Sequence, residues 1–128
     1  MEQIRLTRDL RRPELAEAAE ADLLGLDVGE LEAGVASGEY LAVDIEGQAT
    51  AVLEIRPIRL GRRALSVVAL GGAGMDQWLS RFVAFLDWLA RDQGCTQVLA
   101  VGRPGWRKAL RAHGFQEGMT LMTMRVSV

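Results

Sequence analysis

The chain has 128 residues and a mass of 14.0 kDa, enough for one domain that buries roughly two-thirds of its unfolded surface. Hydrophobic residues at 49% and charged residues at 25% exclude a disordered acidic tail, a collagen-like chain and a coiled-coil rod. Fifteen Lys and Arg against seventeen Asp and Glu give a net charge of −2, which argues against a nucleic-acid partner; one cysteine and one histidine exclude a disulfide scaffold and an ordinary zinc site, and no metal is expected. The opening MEQIRLTRDLRR has no apolar signal-peptide core, and the longest apolar run, residues 67–75, is short and broken by glycines, so no membrane partner and an intracellular location are expected.

In chain order, residues 13–24 read as a helix, with Pro13 in its first turn and Gly25 as its stop. A second, short helix follows Asp27, whose carboxylate is placed to cap it with Glu30 three residues on; Leu31 and Val35 face inward and Gly38 ends it. Over 40–45 the period changes to two, with Leu41, Val43 and Ile45 on one side, and Glu46-Gly47 supplies a tight reversal into a partner strand at 48–56. Residues 59–63 form a basic connector, and 64–70 a buried strand whose one polar residue is Ser66.

Gly71 to Gly74 break that strand, and Asp76 opens the longest helical pattern, which runs to Gln93 with Gly94 as terminator. Trp78, Leu79, Phe82, Phe85, Leu86 and Leu89 share one apolar arc, while Trp88 falls off it. Residues 96–101 form a strand parallel to 64–70, a short helix spans 106–112, and 119–128 alternate as a last strand. The expected fold class is α/β (α+β), a single domain over 1–128 with a mixed sheet, helices on both faces and the order ααβββαβαβ.

This order, from Asp9 to Val126, resembles the GNAT (GCN5-related N-acetyltransferase) fold. The stretch Gly94-Cys95-Thr96, then Gly102-Arg103-Pro104-Gly105-Trp106, Leu110 and Gly114-Phe115 is similar to small GNAT-like proteins of phages and prophages, a group that includes acetyltransferase-like internal virion proteins. The resemblance implies an acyl-CoA N-acyltransferase ancestry, with acetyl-CoA as the cofactor, bound weakly or not at all. In active members a loop of the form R/Q-x-x-G-x-G/A holds the CoA pyrophosphate on its amides and on the helix N-terminus that follows. Gly72, Ala73 and Gly74 match its glycine half, Ala69 stands at the Arg/Gln position, and Asp76 competes with an anion for the helix amides. Arg103 and Arg107, with Lys108, are candidates to replace the missing cation. The glycines also fit a plain strand-to-helix turn, and the basic residues a solvated surface.

The catalytic residues are unknown from this comparison. Counting back from Gly114-Phe115 puts Leu110 where active members carry a Tyr acid, and Arg103 where they carry an Asn. The central strands contain no carboxylate; Ser66, Thr96 and Gln97 are their polar residues, and Glu54 is expected on a wet face. Trp106 reads as a packing anchor or an adenine platform, and Trp88 as a partner patch or a helix-packing residue. His113 is expected to be a helix-end residue and Cys95 a small filler. Arg56, Arg59, Arg62 and Arg63 suit a solvated loop or a weak anionic partner. Two functions follow: a GNAT-fold protein with degenerate catalytic and CoA-loop positions, or a non-catalytic phage structural or host-interaction protein. A protein partner or self-association is expected, in the host cytoplasm or the virion.

Overall fold

The computed structural model describes residues 3–8, 27–100 and 106–116, together with Pro13 and Ala16. Those two positions are helical, as expected; the rest of the 13–24 helix, the turn at 102–105 and the strand at 119–128 lie outside the described residues. The elements are β1 (Ile4–Thr7), α1 (Val28–Ser37), β2 (Leu41–Ile45), β3 (Ala49–Pro57), a 3-10 turn (Arg59–Gly61), β4 (Arg63–Gly72), α2 (Met75–Asp92), β5 (Gln97–Ala100) and α3 (Trp106–Arg111). Among the described residues, these five strands form one sheet in the order β1-β2-β3-β4-β5, antiparallel except for the parallel pair β4 and β5.

The expected order lacks β1. Four residues at the sheet edge, with Arg5 and Leu6 exposed, carry too little alternation to stand out from the polar opening of the chain. What makes them a strand is non-local: Ile4 pairs with Ile45 and Thr7 with Ala42.

The sheet is covered on both faces. Val43, Ile45, Ala51, Leu53, Leu65, Val67 and Leu70 meet Trp78, Leu79, Phe82, Phe85, Leu86 and Leu89, the expected arc of α2. Burial of each large side chain contributes roughly 1.5–3 kcal/mol, so this face dominates the stability. On the opposite face Ala42, Val52 and Ala69 pack under Leu31 and Val35 of α1. Asp27 caps α1 by accepting the Glu30 N–H at 2.8 Å, and Gly38 closes it in the left-handed conformation.

A β-bulge interrupts β4. Val52 pairs with Ala69 but Leu53 with Val67, so Val68 is the extra residue. The side-chain phase slips by one: Leu65 and Val67 face α2, then Ala69 faces α1 and Leu70 returns to α2. The described pairing of β5 with β4 covers Ala64–Val67, up to this bulge.

Candidate functional site

The strand-to-helix loop after β4 sits on the β2–β3 turn. In that turn Glu46 and Gly47 both have positive φ, 53° and 70°, the handedness that suits a two-residue hairpin, and the Gln48 N–H returns to the Ile45 carbonyl at 2.9 Å. Gly72 lies opposite Ala49 with φ 135°, and a Cβ there would stand 2.5 Å from both the Ala49 Cα and the Gln48 carbonyl oxygen. The Ala73 N–H donates to that carbonyl at 3.1 Å, while the Ala73 carbonyl accepts from the Trp78 indole N–H at 2.7 Å. Both main-chain polar groups of Ala73 are thus engaged within the chain, and Gly72 is required by close backbone approach.

Gly74, at φ 75°, is the N-cap of α2, and no side chain caps this end. Asp76 therefore does not open the helix as its cap; it stands exposed in the first turn, where its charge favours the helix dipole. The Gln77 N–H donates to the Gly74 carbonyl at 2.8 Å, and helix geometry leaves the amides before it as donors without an intrahelical acceptor. Ala69 is 4% exposed in the apolar layer beneath α1, because the bulge turns it there. A long cation at this position would be pressed into that layer.

Two turns along α2, Arg81 reaches back to the same β2–β3 turn. Its Nε donates to Glu46 Oε2 and its Nη2 to Oε1 at 2.8 Å. The Glu46 side chain is only 7% exposed, and the hydrogen bond from Arg81 holds its carboxyl below the ordinary value of 4.5; the same bond raises the Arg81 pKa. Among the described residues, this is the one ion pair joining α2 to the sheet. It was not legible in the sequence, since its partners are 35 positions apart.

Of the other candidates, Leu110 is half-buried and packs on the α2 core, and its carbonyl accepts from His113 and Phe115. Ser66 is buried at 3% in the middle of β4. The Thr96 amide and hydroxyl both donate to the Arg63 carbonyl, at 2.9 and 3.4 Å, and Gln97 pairs with Ala64. Those two residues lie at the opposite end of β4 from Gly72, about 25 Å away at strand spacing. Glu54 is ion-paired with Arg56 at 3.3 Å and partly exposed. His113 is exposed, and Cys95 is half-buried against the core. Trp88 is 48% exposed, with its ring 5.8 Å from Phe85. Lys108 is exposed; Arg103 and the side chains of Trp106 and Arg107 lie outside the described residues.

No protein-family model matches the sequence, and no curated protein is similar to it at a significant level. Solved structures do match. A crystal structure described as a probable acetyltransferase superposes with a TM-score of 0.74 at 14% identity, over 98% of each chain. The aminoglycoside N-acetyltransferase AAC(6')-Iy, in complex with CoA, gives 0.67 at 14% identity over 98% of this chain and 94% of that one. The aminoglycoside 6'-N-acetyltransferase AAC(6')-IG of Acinetobacter haemolyticus gives 0.67 at 13% identity over 98% of each. Superposition over nearly the whole of each chain, with the mixed five-stranded arrangement of the described residues, shows that the protein has the GNAT acetyltransferase fold.

Proposed function

We propose that this is a GNAT-fold protein of the phage and prophage type, related to acetyl-CoA-dependent N-acetyltransferases, whose CoA loop and catalytic positions are degenerate. One observation carries this: Ala69, in the place of the loop cation, is built into the apolar layer under α1, while the Ala73 amide is committed to Gln48. The residues present fit a diphosphate poorly. The α2 N-terminus still offers amides, but Asp76 adds negative charge beside them and Arg81 is held by Glu46. Leu110 cannot donate a proton, so no acid step is assigned. The phage kinship is supported by the sequence resemblance around Gly94 to Phe115.

Acetyl-CoA binding is expected at the millimolar level, equivalent to about −4 kcal/mol. A thermal-shift titration tests it, because ligand at a hundredfold its Kd adds roughly 2.7 kcal/mol of stability. A shift saturating in the millimolar range, with little turnover, is the expected result. Micromolar saturation with rapid acetylation of amines would overturn the degenerate assignment.

A second function, a non-catalytic structural or host-interaction protein in the host cytoplasm or the virion, is favoured by surface that the fold does not use. Trp88 stands 48% exposed on α2 and Leu60 89% exposed at the β3–β4 hairpin. A complete lack of response to 10 mM acetyl-CoA would favour this function over the first.

A further inference from the structure

The end of the sheet remote from the glycine loop combines an open groove with a concentration of positive charge. Four of the fifteen basic residues, Arg56, Arg59, Arg62 and Arg63, fall within eight positions, and none of the seventeen acidic residues lies between Glu54 and Asp76. Arg56 is paired with Glu54, but Arg59 and Arg62 have no ion-pair partner among the described residues. The connector is held in shape by its own main chain: the Ile58 N–H donates to the Arg62 carbonyl at 2.8 Å, and the Arg62 N–H to the Arg59 carbonyl at 3.2 Å. That turn lifts Leu60 into solvent at 89% exposure with φ 62°.

Beside the hairpin base lies a groove of about 500 Å³. Its apolar wall comes from Leu6, Leu41, Ile55 and Leu89; Arg63 also lines it, and Glu39 is the one carboxylate among the described lining residues. Leu6 is 48% exposed although it sits on the face of β1 that carries the buried Ile4.

We propose that this end of the molecule docks a polypeptide segment that is both apolar and acidic, its apolar side chains entering the groove and its carboxylates meeting Arg59, Arg62 and Arg63. Charge complementarity decides the sign of the partner. The concave apolar wall decides its class. A flat anionic bilayer would reach the convex Leu60 tip and leave the groove unused, and a polynucleotide has no aliphatic group to place there. Glu39 repels a surface of uniform negative charge, whereas a peptide can turn an apolar or basic residue toward it. This inference stands apart from the acyl-CoA assignment, since the site shares no residue with the glycine loop.

The test is an NMR titration of the 15N-labelled full chain with a short capped peptide of alternating Glu-Glu and Leu-Leu pairs. The expected result is saturable movement of the amides of Leu41, Ile55, Arg62, Arg63 and Leu89, with affinity falling roughly tenfold when the salt is raised well above physiological. The doubly exposed variant Arg59→Glu with Arg62→Glu should weaken binding by a similar factor, and a peptide with Ser for Leu should lose the Leu41, Ile55 and Leu89 response. Unmoved amides, or equal affinity in the charge-reversed variant, would overturn the proposal. So would binding to phosphatidylserine vesicles or duplex DNA in place of the peptide, or a concentration-dependent dimer that Leu60→Ser abolishes.

Discussion

The two ends of the β4 strand are built on opposite principles. At Gly72 the chain folds onto itself: the loop touches the β2–β3 turn through Gly72, Ala73 and Gln48, and Arg81 and Glu46 neutralise one another. At Arg63 the chain leaves groups unused, with two arginines that have no ion-pair partner among the described residues, a leucine in solvent and a groove open beside them. The sequence resemblance implies that a CoA loop would lie at the first end. In this chain that end is the more self-contained, and the docking surface proposed above lies at the second.

The sharpest way to break this comparison is Gly72→Ala. The added methyl meets backbone at 2.5 Å and the residue sits at φ 135°, so strain and overpacking together should cost about 3–5 kcal/mol in urea unfolding. Wild-type stability in this variant would mean that the loop is not seated on the turn. Next is Ala69→Arg, which introduces the cation that the resemblance implies at this position. Because the side chain must enter the layer of Leu31, Val35 and Val52, a loss of about 3 kcal/mol is expected, with no gain in acetyl-CoA affinity by thermal shift. A stable variant that binds the thioester tightly would show that this end can still open for a cofactor.

Most of the fold was legible because its signals are local. The Asp27 cap, the Gly38 and Gly94 stops, the Glu46-Gly47 turn and the α2 arc each depend on residues within a few positions. The missed parts are long-range. β1 exists through its pairing with β2, and the bulge at Val68 is hidden because Val67, Val68 and Ala69 are apolar on either face. For the site, the sequence indicated which residues occupy the loop. It could not indicate that Ala69 points at α1, that the Ala73 amide is taken, or that Arg81 finds Glu46. The basic connector was visible as a charge run, but the groove beside it joins five elements and has no sequence signature.

At the open end the expected effect is smaller and of opposite sign. Leu60 holds a left-handed conformation that costs a non-glycine residue roughly 1–2 kcal/mol, and its side chain buries almost nothing in return. Leu60→Gly relieves that strain but gives the unfolded chain more freedom, so a net gain of up to about 1 kcal/mol is expected by denaturant unfolding. The same variant should bind the acidic peptide as wild type does, because the proposed contacts are made by the groove and the arginines and not by this tip. A loss of stability instead would mean that Leu60 supports the hairpin.

The subtlest effect belongs to the clamp at the closed end, and its signature is a slope. Arg81 lowers the Glu46 pKa in the folded state, so the pair adds stability that is fully present above the ordinary carboxylate value of 4.5 and is lost as pH falls through the lowered one. The raised Arg81 pKa contributes nothing that changes across this acid range, because the guanidinium is charged throughout. In Glu46→Gln the titrating group is gone. The stability difference between wild type and variant should therefore be constant near neutrality and shrink as the pH is taken below 4.5. A difference that does not vary with pH would mean that the carboxylate and the guanidinium are apart in solution, and that the first end is less closed upon itself than its geometry indicates.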